Sequence, residues 1–147
     1  MTREPPLHPI HLTLGARLVD FAGWDMPLQF SGVVAEHTAV RERVGLFDVS
    51  HLGQVFVSGA GAGPVLDAVL TANVAGLAEG RARYGLVLTD GADGADGADG
   101  GGVIDDLFVY HRPDSYLVVP NAANTDAVLE VLRAAAAGPQ GPDSGSH

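Results

Sequence analysis

Hydrophobic residues along this chain fall into two periodicities, and between them they mark most of its elements. Strand-like runs, rich in β-branched and aromatic residues, occupy Leu14–Phe21, Gln54–Val57, Arg83–Leu88, Val103–Tyr110 and Tyr116–Val119. Helical spacing appears three times. Val33, Val40 and Val44 line one side of Gly32–Val44, with Gly45 as a C-terminal cap. Leu66, Val69 and Leu70 line a helix opened by Gly63-Pro64, with proline in its first turn. Val128, Leu129 and Leu132 line a last helix that Asn124-Thr125-Asp126 can cap. Residues 1–12 read as an extended lead-in. Gly23-Trp24-Asp25-Met26-Pro27 and Arg112-Pro113-Asp114 read as turns. Strands mixed with helices in this order predict an α+β fold, an antiparallel sheet with packed helices, rather than a doubly wound parallel one.

One strand carries chemistry. In Val103-Ile104-Asp105-Asp106-Leu107-Phe108-Val109-Tyr110 two adjacent carboxylates sit in an apolar strand introduced by Gly101-Gly102. Neighbours on a strand point to opposite faces, so one aspartate reaches solvent and the other faces a core or a pocket. A carboxylate aimed inward must be hydrogen-bonded or paired, or its pKa shifts.

Composition narrows the classes. With 147 residues, 46% of them apolar, the chain is long enough for one modest domain or part of something larger. It has no cysteine, which removes disulfides and thiolate chemistry. The net charge is -10 and all eight basic residues are arginine. A basic stripe for nucleic acid is missing, and so is any Schiff-base or phosphate-loop lysine. Neither a membrane-length apolar run nor a signal-peptide pattern is present, so the expectation is a cytoplasmic protein without membrane contact. Residues 90–102 repeat Gly-Ala-Asp with the aspartates three apart, unlike a calcium loop, and read as a solvated hairpin tip. Residues 138–147 read as a disordered tail.

Other candidates are weaker. His8, His11, His37, His51 and His111 lack helical metal spacing, so no metal is expected, and His37 reads as a core histidine beside Val33, Val40 and Val44. Ser50 and His51 are neighbours and face apart, which argues against a nucleophile–base pair. Gly59-Ala60-Gly61-Ala62-Gly63 departs from a dinucleotide-loop spacing and reads as a turn or cap. Trp24 reads as a packing anchor.

Five stretches in register resemble the N-terminal part of the glycine-cleavage T-protein, or aminomethyltransferase, family. They are Leu18-Val19-Asp20-Phe21-Ala22-Gly23-Trp24-Asp25-Met26-Pro27-Leu28, Glu36-His37-Thr38-Ala39-Val40-Arg41, Gly45-Leu46-Phe47-Asp48-Val49-Ser50-His51, Gly101-Gly102-Val103-Ile104-Asp105-Asp106-Leu107 and Val118-Val119-Pro120-Asn121-Ala122-Ala123-Asn124. The likeness spans residues 5–137, apart from the Gly-Ala-Asp expansion, and folate-dependent dehydrogenase domains share parts of it. It implies a folate-binding region over 1–137 and transfer of a methylene group from an aminomethyl-lipoyl H-protein to tetrahydrofolate, with release of ammonia. It implies Asp105 as the catalytic carboxylate, Tyr110 and Asn121 as folate contacts and Val103 as wall, with Asp106 facing away. Family members are much longer, so a truncated chain is expected to be inactive alone. The repeat and the tail together suggest a shifted reading frame. The alternatives are a non-catalytic folate-binding or assembly module completed by a complementary C-terminal chain, and a folate-dependent demethylase or dehydrogenase domain.

Overall fold

Ala22 and Gly23 both have positive φ, 51° and 82°, as a two-residue hairpin turn of the primed type requires. The chain therefore reverses within two residues. Strand β1 (Arg17–Phe21) pairs antiparallel with β2 (Trp24–Gln29), and Phe21 lies opposite Trp24. The expected turn over Gly23–Pro27 is thus mostly strand. The Asp20 carboxylate helps by accepting the Gly23 N–H at 2.9 Å. The computed structural model describes residues 2–89 and 102–138, and it divides into two compact units, Met1–His51 and Leu52–His147. Apart from Gly102 and Gly138, the expected hairpin tip and tail lie outside the described residues.

In the first unit the lead-in is not extended throughout, because α1 (His8–Thr13) forms with Pro9 in its first turn. His8 and His11, three apart, share one buried face. The His8 Nε2–H donates to Asp25 Oδ2 at 3.0 Å, and His11 Nε2 lies 2.9 Å from Asp48 Oδ2. Helix α2 (Val33–Glu42) ends before the expected Gly45. Its N-cap, Gly32, makes no side-chain capping bond, and Glu36 in the first turn instead reaches back to the segment that leads into the helix. Glu36 Oε1 accepts the N–H groups of Phe30, Ser31 and Gly32 at 2.7, 2.6 and 2.9 Å. Those bonds, from Gly32 and Phe30 above all, hold its carboxyl below the usual value. No residue of α2 is buried, so His37 is exposed rather than a core histidine.

The second unit contains β3 (Val55–Ser58), α3 (Ala62–Val69), β4 (Ala82–Leu88), β5 (Val103–His111), β6 (Ser115–Val119) and α4 (Thr125–Ala137). Its four strands form an antiparallel sheet in the order β3-β6-β5-β4, as the α+β reading predicted. Val87, Leu107, Val109 and Val118 turn to one face and are buried with Leu66 from α3, Leu70 at its C-cap, and Val128 and Leu132 from α4. Gly85 lets the chain cross closely over β4, since a Cβ there would stand 2.8 Å from the Ala72 methyl.

Asp105 sits in the same buried row, 2% exposed. Its Oδ2 accepts the Asn121 backbone N–H at 2.9 Å. Its Oδ1 accepts the Asn121 and Asn124 side-chain amides at 2.9 and 2.7 Å. The carboxylate thereby ties β5 to the turn between β6 and α4. Asn124 is the N-cap residue by position, yet its side chain serves Asp105 and makes no capping bond.

Two predictions follow from these tethers. Asp105→Ala takes the shared acceptor from three part-buried donors and should cost about 3 kcal/mol of unfolding free energy, against less than about 1 for Asp106→Ala, as read from urea melts. Equal losses would remove the clamp. Because Glu36 has a lowered folded pKa, its hook contributes fully above the unfolded value of 4.5 and is lost as pH falls through the folded value. Amide exchange at Phe30–Gly32 should therefore quicken on acidification in that window, and Glu36→Gln should abolish the dependence.

Candidate functional site

Helices α3 and α4 cover one face of the four-stranded sheet, and the side chains of the opposite face form an aromatic shelf. Tyr84 lies opposite Phe108 across β4 and β5, and Phe108 stands opposite Val119 on β6. The Tyr84 and Phe108 rings meet edge-to-face at 5.4 Å between centroids, and Phe108 and Tyr110 lie 6.3 Å apart. All three rings are substantially exposed, at 52%, 47% and 41%. Large rings left open side by side are the kind of apolar feature that marks candidate binding surfaces.

Asp106 joins this shelf. The two-residue period of β5 sends Asp105, Leu107 and Val109 inward and Asp106, Phe108 and Tyr110 outward. As the strand period requires, the two carboxylates part: Asp105 is the enclosed one, its three hydrogen bonds all from the protein, and Asp106 faces the open side. The Tyr84 hydroxyl reaches diagonally across the strand pair and donates to Asp106 Oδ2 at 2.7 Å. The Asp106 carboxylate that accepts this proton pushes the phenol above its ordinary value of 10.0.

Of the other expected site residues, Tyr110 lies on the shelf. Val103 reaches the same face through a register irregularity at Val87/Leu88, which sets it opposite exposed Leu88 while Val87 pairs with Asp105. Asn121 stands at the end of β6, where its amide bridges Asp105 and Asp106. Tyr84 and Phe108 were not singled out from the sequence. The available signal was their parity with Tyr110 and with Asp106 in paired strands.

The remaining histidines are occupied by local structure. The His111 Nδ1–H donates to the Leu77 carbonyl at 2.7 Å, and its ring stacks on Tyr116 at 4.5 Å. His51 meets Trp24 edge-on at 6.1 Å, and the Arg3 guanidinium lies 5.8 Å from the Trp24 ring centre, so Trp24 is a packing centre. Ser50 and His51 are not hydrogen-bonded to each other. Gly59 has a φ of 99° and its carbonyl accepts the Ala62 N–H, which makes the glycine stretch a turn into α3. Among the described residues no three His, Asp or Glu side chains converge as a metal site.

Comparison with known proteins places the chain in a family. The chain is 48% identical over 128 residues to an aminomethyltransferase of Cutibacterium acnes, which covers 86% of the chain and 32% of that protein. It is 47% identical over 131 residues to the aminomethyltransferase of Rubrobacter xylanophilus, covering 89% and 33%. The chain thus spans about a third of the length of the curated relatives it matches. The crystal structure of glycine cleavage system aminomethyltransferase T from Bartonella henselae superposes with a TM-score of 0.83 at 34% identity, over 94% of this chain and 36% of that one. The family match itself runs over residues 7–143, through both units and the strand that bears the two aspartates, and the chain belongs to the GCVT N-terminal domain family.

Proposed function

We propose that this chain forms the folate side of an aminomethyltransferase, with tetrahydrofolate bound on the aromatic shelf of β4 and β5. A lipoylated H-protein is then the donor. In that reaction the methylene carbon becomes bonded to N5 and N10 of the folate as its bonds to the amine nitrogen and the lipoyl sulfur break, and the two displaced N–H protons leave with ammonia and the dihydrolipoyl thiol. The observation that carries the reading is an exposed carboxylate set among three exposed rings, on a strand with the family's own sequence.

The chemistry of the shelf suits a pterin. A flat heteroaromatic ring bearing N–H donors needs apolar faces to lie against and an anionic acceptor at its edge. Tyr84, Phe108 and Tyr110 supply the first, with Val103 as wall, and Asp106 supplies the second. Asp106 takes the role that the sequence resemblance gave to Asp105, because a carboxylate with its protein donors satisfied and only 2% exposed is closed to a ligand. Asp106 accepts a hydrogen bond from a ring nitrogen and so orients its lone pair toward the incoming carbon. Tyr84 holds the other end of that carboxylate. Such alignment converts an encounter into a fixed geometry, which is worth several orders of magnitude in rate.

A second reading is favoured by the first unit. Helix α2 buries none of its residues, and Leu46 and Phe47 are 101% and 69% exposed. That pattern fits a folate-binding module completed by further protein. Turnover of aminomethylated H-protein by this chain alone at an enzymatic rate would remove this second reading.

Calorimetric titration with tetrahydrofolate tests the proposal directly. Asp106→Asn should weaken binding about tenfold, the worth of one charge-assisted hydrogen bond. Binding equal to the parent's would sink the role of Asp106. Spectrophotometric titration of the tyrosines should find one phenol above its ordinary range, lost in Tyr84→Phe and returned toward 10.0 in Asp106→Asn. A raised folded pKa means the Tyr84–Asp106 bond contributes fully below the unfolded phenol value and is lost as pH rises through the folded one.

A further inference from the structure

The Asn121 side chain connects the buried aspartate to the exposed one. Its Nδ2 lies 2.9 Å from Asp105 Oδ1, 2.9 Å from the Asp106 carbonyl oxygen and 3.2 Å from Asp106 Oδ1. Two protons serve three oxygens, so the two Asp106 oxygens share one of them. The same surroundings decide which way the amide faces, because turning it over would set its carbonyl against three acceptors. The Asn121 backbone N–H meanwhile holds Asp105 Oδ2. At the far side of Asp106, Oδ2 accepts from Tyr84. The exposed carboxylate is therefore gripped at both oxygens, from β4 on one side and from the β6–α4 turn on the other.

We propose that Asn121 is a positioning residue: anchored on the buried Asp105 carboxylate, its amide fixes the rotamer in which Asp106 faces the aromatic shelf. An ungripped surface aspartate samples several rotamers, and a ligand must then restrict it on binding. Anchoring through Asn121 removes that cost in advance. The amide also stands between two adjacent carboxylates and shields each from the other's charge. Asp105, closed to ligand, thereby acts on the shelf through Asn121. The functional side of this inference rests on the reading of Asp106 given above, whereas the rotamer control does not.

Asn124 provides the control, since its amide bonds Asp105 Oδ1 at 2.7 Å and is not hydrogen-bonded to Asp106. On isotopically labelled full chain, three-bond couplings report the Asp106 χ1. The parent and Asn124→Ala should show one rotamer, and Asn121→Ala an averaged set. In the parent the Asn121 Nδ2 protons should shift with the same pH midpoint as the Asp106 carboxyl carbon, a measurement that needs no variant to fold. A single rotamer retained in Asn121→Ala, or amide protons indifferent to Asp106, overturns the proposal. Tetrahydrofolate titrated into the same samples should bind Asn121→Ala more weakly than Asn124→Ala. If the couplings behave as expected but folate binds none of them, the folate reading fails and the positioning role stands.

Discussion

A carboxylate that is 2% exposed needs donors from the fold in place of water, and Asp105 has three. That requirement organises the second unit. The donors come from Asn121 and Asn124, on the turn that leaves the sheet for α4. Satisfying the charge therefore also fixes where β6 stops and where the helix begins. Val128 and Leu132 can then bury against Leu107 and Val109. The Asn124 amide is diverted from helix capping to this task, a sign that the buried charge is the stronger demand.

The same strand has two unlike faces only because its side-chain period is two. A one-residue slip would exchange Asp105 with Asp106 and bury Phe108 and Tyr110. The apolar contacts of Leu107 and Val109 oppose that slip on one side, and the Asp105 clamp opposes it again. The register irregularity near Val103 adjusts the first residue without disturbing the rest. The aromatic shelf is thus held by interactions on the opposite face of its own sheet.

The first unit solves smaller problems by similar means. His8 and His11 on α1 lie against the Asp25 and Asp48 carboxylates, and Glu36 holds the N–H groups of the segment that leads into α2. Helix α2 is different, since it lies against β2 without burying any of its residues.

Local pattern by itself determined the strands of the sheet, α3 and α4, the α+β class and, through five stretches in register, the family. Those signals are short-range, because a period of two or 3.6 residues is written into neighbours. It also determined that Asp105 and Asp106 face apart. Tertiary structure alone decided which of them is enclosed, because that depends on which face of the sheet the helices cover. It decided that Val103–Tyr110 shares a surface with Tyr84, a cross-strand fact, and that Asn124 serves Asp105 rather than its helix. It also turned the expected turn at Trp24 into strand, since a two-residue reversal at Ala22-Gly23 leaves the following residues in ladder register. His37 shows the converse limit: helical spacing places it on a face with valines, but only packing says whether anything covers that face.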